Sequence, residues 1–186
     1  MLKVAFCDIN NIDFNSVDLT DFPKDRLDYI NSFTNENRKN QSIAVWLLLK
    51  KTLFDLGLNS VYNRLSHKNG VWFDSKGEYF ISLSHSKNIV FVAISSSFVG
   101  VDVQVVDDKI LNIKRRFENI YNLQFDSDIS ESEKLTILWC AEESFFKANI
   151  KNGYSFYKKI TNNGNNFILF LASKNYFDGS IENVNL

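Results

Sequence analysis

The stretch LWCAEESFFKA, residues 138–148, is the most informative part of the chain. It belongs to a longer segment, residues 131–150, that follows the capping-box pattern Ser130-x-x-Glu133 and predicts an α-helix. One arc of this helix is apolar and is expected to face the core. Its members are Leu135, Leu138, Ala141, Phe145 and Ala148.

Three charged residues stand next to this apolar arc or inside it. Glu143 and Lys147 are one turn apart and can contact each other directly, although many surface ion pairs have the same spacing. Glu142 falls inside the arc, where an unpaired carboxylate costs several kcal/mol to desolvate. We therefore expect a lysine or an arginine beside Glu142.

Upstream, residues 98–106 read as a strand with two different faces. The valines at 99, 101, 103 and 105 share one face, whereas Asp102 and Gln104 share the other with Gly100 and Val106. A hard cation such as Mg²⁺ takes oxygen ligands, few of them protein carboxylates. Asp102, Gln104 and Glu143 therefore form a candidate metal site, the alternative being a strand face that simply meets solvent.

A third segment, Ser84-His85-Ser86, follows a predicted strand and precedes a tight turn at residues 87–88. Hydroxyls, an imidazole and exposed backbone N–H groups suit a phosphate. A Ser-His-Asp hydrolase is disfavoured because the sequence has no G-x-S-x-G motif. It also has no GxGxxG motif and no Walker loop.

The order of predicted elements indicates an α+β fold. Residues 1–9 are predicted to form a strand, and residues 10–33 are predicted to be irregular. A helix is predicted to begin after the cap residue Thr34 and to run to about residue 55, with Gly57 as the residue that stops it. The apolar run 89–94 is typical of a strand covered on both faces. Residues 107–129 are typical of a polar helix or loop. Two weaker strand patterns follow at 154–160 and 167–172. The chain has the order of a helix followed by strands twice, and this order predicts two similar halves, residues 1–97 and 98–186.

Composition narrows the function class. The 186 residues are 45% hydrophobic and 23% charged, as in folded globular proteins. A net charge of −1 gives no overall case for binding nucleic acid or an anionic membrane. The longest apolar run is too short for a bilayer, and the N-terminus reads as a strand and not as a signal peptide. With Cys7 and Cys140 as two reduced, buried thiols, we expect a cytoplasmic protein.

Three segments, in this order, resemble motifs of the larger, monomeric type of 4′-phosphopantetheinyl transferase. That family shows F-N-L-S-H-S, then G-[IV]-D-[IV]-E, then W-x-x-K-E-[AS]-x-x-K. The corresponding segments here are FISLSHS at 80–86, GVDVQ at 100–104 and WCAEESFFK at 139–147. The start of the helix at residues 37–40 is similar to the family's basic N-terminal helix, and the likeness covers most of residues 23–172.

The resemblance implies a Mg²⁺-dependent enzyme that moves the phosphopantetheine arm of coenzyme A to a serine of an acyl or peptidyl carrier protein. Adenosine 3′,5′-bisphosphate is the other product. The family fold implies two similar α/β halves related by a pseudo-twofold axis, with the active site in the cleft between them. The expected partners are coenzyme A and the carrier protein, with no nucleic acid and no membrane, and the expected state is a monomer.

The resemblance also implies roles for individual residues. Asp102 and Glu143 would bind Mg²⁺ with Gln104 as a weaker ligand, Glu143 would also take the serine proton, and Lys147 would neutralise the pyrophosphate. A second group would bind the cofactor's phosphates at the adenosine end. It comprises Ser84, His85, Arg38 and Lys39, with Arg26 as a further candidate.

Three positions depart from the family pattern. Glu142 and Val71 stand where the family has lysines, and Gln104 stands where it usually has glutamate. Lys68, two residues before Gly70, is a candidate to substitute for the lysine missing at Val71. Because lost cations weaken affinity for a polyanion, one alternative is a family-fold protein that binds coenzyme A or a carrier protein without efficient transfer. An unrelated α+β binding module with chance motif matches is the other.

Overall fold

The protein has a layered α+β architecture in the computed structural model, which describes residues 1–68, 71–117, 128–174, 176–177 and 180–186. The described residues form four layers in the order helix, sheet, sheet, helix. Each interface between layers has its own cluster of buried apolar side chains. The fold class predicted from the sequence is therefore confirmed at the level of a mixed α+β protein.

The elements of the described residues have the following bounds. The strands are β1 Leu2–Asp8, β2 Leu65–Lys68, β3 Val71–Asp74, β4 Phe80–Ser86, β5 Ile89–Ser95, β6 Val99–Val105, β7 Tyr154–Asn162, β8 Asn165–Ser173 and β9 Glu182–Asn183. The α-helices are α1 Lys24–Asn31, α2 Glu36–Asp55, α3 Asn59–Tyr62 and α4 Glu131–Ala148, and a 3₁₀ helix spans Asp108–Arg116.

The described strands form two sheets. The larger has the order β2-β3-β4-β5-β1-β9 and the smaller the order β6-β8-β7. The predicted division at residue 97 falls between β5 and β6, where the chain passes from one sheet to the other. The short strand β9 returns to the larger sheet and pairs in parallel with β1, so the larger sheet includes residues from both ends of the sequence.

Strand β5 lies in the middle of the larger sheet, and every one of its residues is buried. Val90, Val92 and Ile94 pack in the cluster shared with α2. Ile89 and Phe91 face the other way and pack against the valines of β6. The prediction of a strand covered on both faces is confirmed, and the reason is its position between a helix layer and a second sheet.

Helix α2 begins one residue later than predicted. Asn35, and not Thr34, is the N-cap residue, and its side chain accepts a hydrogen bond from the N–H of Arg38. The helix ends before Gly57, whose φ of +70° is the left-handed conformation expected at a helix C-terminus. The irregular segment predicted over residues 10–33 contains a helix, α1, that the sequence pattern missed. Only Ile30 of α1 is fully buried, so its apolar periodicity is weak.

Helix α4 has the predicted capping box, since Ser130 and Glu133 exchange side chain-to-backbone hydrogen bonds. It ends at Ala148, two residues before the predicted end at residue 150, and its C-cap residue Asn149 is left-handed with φ +52°. The helix lies directly on β6. A Cβ atom added to Gly100 would stand 1.8 Å from the carbonyl oxygen of Ser144, so glycine permits this close approach.

Two parts of the segments discussed above lie outside the described residues: Asn69-Gly70, directly before Val71, and residues 118–127 of the predicted polar segment. Within the described part of the chain, no helix has the length and the apolar character needed to cross a membrane. Both cysteines are buried and free, and burial raises the pKa of Cys7 to about 11, which keeps its thiol protonated and unreactive.

Candidate functional site

Strands β4 and β6 meet at the border between the two sheets through serine side chains. The hydroxyl oxygens of β4 accept hydrogen bonds from alternate backbone N–H groups of β6. The pairs are Ser82 with Val101 (2.9 Å), Ser84 with Val103 (3.1 Å) and Ser86 with Val105 (3.0 Å). All of these serines are buried. This serine ladder fixes the register of the two strands and brings the middle of β4 next to Asp102.

Asp102 is the centre of the site and is only 7% exposed. Its Oδ1 accepts hydrogen bonds from the Oγ of Ser84 at 2.8 Å and from the Nζ of Lys147 at 2.6 Å. Lys147 also donates to the backbone oxygen of Val101 at 3.1 Å. Burial is the main cause that raises the pKa of Cys140, and the charge of Asp102 and a hydrogen bond to it raise it further, so this thiol also lies against the carboxylate. The Asp102 carboxylate is thus held by side chains from β4 and α4.

Lys147 pairs with Asp102 and not with Glu143, the neighbour on its own helix. Among the described residues, no ion pair involves Glu143, which is half-buried. The direct Glu143–Lys147 contact that the spacing allowed is therefore not made. The physical reason is the burial of Asp102: a charge pair in a poorly solvated site is stronger than one near the surface.

The described residues contain no group of three or more His, Cys, Asp or Glu side chains arranged to hold a metal ion. Mg²⁺ usually binds through one or two carboxylates and completes its shell with water and substrate phosphates, so Asp102 and Glu143 are of the right chemical type, and their metal role stays a prediction. Glu143 has no competing ion pair among the described residues. Gln104 lines a pocket of about 280 Å³ with Trp139, and no described contact joins it to either acid.

His85 lies at the end of β4 and is half-buried. Burial is the main cause that lowers the pKa of His85, and the nearby cations Lys147 and Arg38 lower it further. Asp102 acts in the opposite direction, but its effect is smaller than these combined. His85 is therefore neutral at neutral pH. The effect of Arg38 also places this residue, at the start of α2, within electrostatic range of His85 on β4.

Two other predicted phosphate ligands are placed differently. Ser84 donates to Asp102 and accepts from Val103, so its hydroxyl is engaged in orienting the acid and joining the strands. Lys39 is half-buried on the first turn of α2, and among the described residues no contact joins it to His85 or to Asp102. The phosphate roles of both residues stay predictions.

A pocket of about 550 Å³ lies beside His85. The guanidinium carbon of Arg26 stands in this pocket, 4.2 Å from the ring centroid of Trp46 and 3.8 Å from that of Trp72. His67 stacks on Trp72 with centroids 4.5 Å apart. The sequence prediction named neither tryptophan nor His67. The available signal was the position of Trp72, one residue after the missing lysine at Val71.

Arg116 provides the cation expected beside Glu142. Its NH2 lies 2.9 Å from Oε1 of Glu142, which raises the pKa of Arg116, and its guanidinium lies 4.9 Å from the ring centroid of Trp139. Oε2 of Glu142 is buried without a hydrogen-bond partner among the described residues. The sequence showed the basic run 114–116 but not its partner, because that pair connects distant segments.

No protein-family model matches the chain, and no curated protein matches it. A functional proposal therefore depends on the geometry of the site and on the motif resemblance.

Proposed function

We propose that the protein is a Mg²⁺-dependent 4′-phosphopantetheinyl transferase that modifies a serine of an acyl or peptidyl carrier protein. The observation that carries the proposal is the contact of Asp102 on β6 with Lys147 on α4 and with Ser84 on β4, with His85 of the same β4 segment within electrostatic range. Asp102, Lys147 and Ser84 each belong to a different one of the motifs that resemble the family. Chance matches scattered along a sequence have no reason to converge in space.

The chemistry requires positioning and charge neutralisation more than covalent catalysis. The serine oxygen forms a bond to the β-phosphorus of coenzyme A, and the bond to the adenosine bisphosphate oxygen breaks. The serine proton passes to the carboxylate of Glu143, directly or through water. Lys147, already oriented by Asp102, neutralises charge that builds on the leaving phosphate. When bound by Asp102 and Glu143, Mg²⁺ would supply further neutralisation of the pyrophosphate oxygens.

The adenosine end of coenzyme A is assigned to the pocket beside His85. The guanidinium of Arg26 lies over two indole rings there, which orients its N–H groups as donors for phosphate. The pocket includes Trp72, next to the position of the missing lysine. Arg26 therefore returns a cation to the region where the sequence lacks one.

The layered fold supports the two-halves part of the proposal. Helix α2 covers the larger sheet and α4 covers the smaller one, so each half consists of a sheet with one principal helix on its outer face. We propose that a pseudo-twofold axis relates these halves, with the cleft where β4 meets β6. The proposal includes a monomeric, cytoplasmic enzyme.

The decisive experiment is mass spectrometry of apo carrier proteins incubated with this protein, coenzyme A and Mg²⁺. We expect a gain of one phosphopantetheine arm on a serine, lost when the metal is chelated. Glu143→Gln should abolish transfer because it removes both a metal ligand and the proton acceptor. Glu131→Gln makes the same change at an exposed position on the first turn of α4 and should leave transfer intact.

The alternatives give different results in the same assay combined with a thermal-shift measurement. Stabilisation by coenzyme A without any metal requirement, and without transfer, would indicate a binding protein of the same fold. Absence of both stabilisation and transfer would contradict the assignment. Undiminished activity of Glu143→Gln would remove Glu143 from the metal site.

A further inference from the structure

The pair of Arg116 and Glu142 lies immediately beside Glu143 on α4. Glu142 occupies the position at which the resembling motif has a lysine, so the sequence reverses a charge next to a proposed metal ligand. The structure places the guanidinium of Arg116 against this carboxylate at 2.9 Å. Arg116 also influences Glu143 electrostatically, since Glu143 contributes to raising its pKa.

Arg116 is held in place by the packing of its segment. Its guanidinium lies 4.9 Å from the Trp139 ring and 5.8 Å from the Phe117 ring. The 3₁₀ helix that ends at Arg116 is fastened to α4 near its other end too, where Ser132 donates a hydrogen bond to Asp108 at 2.5 Å. The Arg116 side chain is still 45% exposed, so part of its fork of N–H donors faces the solvent beside the site.

We propose that Arg116 is a positioning residue that sets the charge beside Glu143, replacing in space the cation that position 142 lacks in sequence. This inference rests on the proposed function. Arg116 neutralises the negative charge of Glu142. A polyanionic cofactor can then approach Glu143, and the carboxylates of Glu142 and Glu143 attract divalent cations less strongly.

The sign of the effect follows from charge alone. Without Arg116, the negative charge of Glu142 beside Glu143 is no longer compensated, which weakens binding of coenzyme A and strengthens binding of Mg²⁺. Without the charge of Glu142, the guanidinium of Arg116 is uncompensated, so coenzyme A should bind more tightly and Mg²⁺ more weakly. A purely structural pair would instead lower stability in both variants and would not move the two affinities in opposite directions.

The experiment titrates Mg²⁺ alone and coenzyme A separately, by calorimetry, into the wild type and into Arg116→Gln and Glu142→Gln. For Arg116→Gln we expect coenzyme A to bind roughly two- to fivefold more weakly and Mg²⁺ more tightly by a similar factor, as for a partly exposed charge pair. Glu142→Gln should shift both affinities the other way. The swapped variant, Arg116→Glu with Glu142→Arg, should return both affinities toward the wild type.

Lys114→Gln is the matched control, because Lys114 forms another ion pair between the same 3₁₀ helix and α4, with Glu131. It should leave both affinities unchanged. Parallel shifts of the two affinities, or shifts equalled by the control, would overturn the role of Arg116. If the wild type transfers no phosphopantetheine but the opposite shifts occur, the enzymatic proposal fails and the charge-setting role stands. If the wild type binds neither ligand, both fail.

Discussion

At the scale of single residues, Gly100 decides how closely α4 approaches the smaller sheet. Substitution by alanine would place a methyl group in contact with backbone atoms of Ser144 and Ala148, which cannot move aside as a flexible side chain can. We expect Gly100→Ala to lower the free energy of unfolding by about 3 kcal/mol. Urea denaturation followed by circular dichroism measures this change.

Gly57→Ala is the comparison for this substitution. Nothing lies within 4 Å of a Cβ added there, but the backbone has φ +70°, so only the conformational strain of about 1 kcal/mol is expected. Equal costs for the two variants would show that α4 shifts easily on β6. In that case the position of Lys147 over Asp102 would not depend on Gly100.

The sequence predicted Asp102, Glu143 and Lys147 as site residues because their chemistry and motif context are visible in short segments. It did not predict the partner of Lys147, since helical spacing compares a residue only with its neighbours on the same helix. Arg116 and Arg26 were similarly missed as structural partners. Each lies in a polar segment without periodicity and acquires its meaning from a tryptophan or a carboxylate in another element.

At the scale of elements, the serine ladder joins β4 to β6 where one sheet gives way to the other. Ser82→Ala or Ser86→Ala leaves a buried N–H of β6 without its acceptor, which costs about 1–3 kcal/mol. We also expect faster hydrogen exchange at the amides of Val101 and Val105, respectively. Mass-spectrometric hydrogen exchange and urea denaturation test the two expectations.

Ser75→Ala is the control for the ladder, because Ser75 is exposed in the turn after β3. It should change stability by less than about 0.5 kcal/mol. Unaltered exchange at Val101 in Ser82→Ala would mean that water replaces the hydroxyl at little cost. The ladder would then not be what fixes the register of the two strands.

Among the elements, those with a strong apolar pattern were predictable from the sequence, whereas α3 and β9 were not. Strand β5, strand β6 and helix α4 have strong apolar patterns and clear ends, so their periodicity identifies them. Helix α3 has four residues and β9 has two, which is too few for any period. Strand β9 exists only through its pairing with β1, a contact that no local pattern reveals.

At the scale of the whole molecule, Asp8 connects the larger sheet with the end of β7 and the turn that follows it in the smaller sheet. Its Oδ1 accepts a hydrogen bond from Asn88 at 3.0 Å, and its Oδ2 accepts from Asn162 at 2.6 Å and Asn163 at 2.8 Å in the turn between β7 and β8. Burial by itself would raise the pKa of Asp8, but these hydrogen bonds and one from the N–H of Asn10 lower it overall.

This lowered pKa gives a pH dependence with a definite sign. The ionised Asp8 stabilises the folded state fully above the unfolded-state pKa of about 4, and the contribution is lost as the pH falls through the lower folded-state pKa. We expect Asp8→Ala to be less stable than the wild type at neutral pH. Between about pH 5 and pH 2 its stability should fall less steeply.

Urea denaturation over that pH range, with the exposed Asp28→Asn as the control, measures the effect of Asp8. The control should follow the wild-type curve. A variant curve parallel to the wild type would show that Asp8 does not carry the acid sensitivity. The link between the two sheets would then depend on the serine ladder and on the apolar cluster between the sheets.

The layering itself was only partly predictable. Alternation along β6 indicated two different environments, but it did not say that one face meets another sheet and the other meets a helix. That information comes from the long-range cluster in which the valines of β6 pack against Ile89 and Phe91. A pattern of apolar residues specifies burial but not the identity of the covering layer.

The join between β4 and β6 has an evolutionary consequence. When two strands are joined by backbone hydrogen bonds, a point mutation does not remove those bonds. The serine ladder uses side-chain hydroxyls on one strand, so a single substitution changes it. An exchange of one serine for alanine, threonine or cysteine alters only the hydrogen bonds of that side chain and leaves the peptide hydrogen bonds of both sheets in place. Selection can therefore adjust in small steps the spacing between the imidazole on β4 and the carboxylates on β6 and α4.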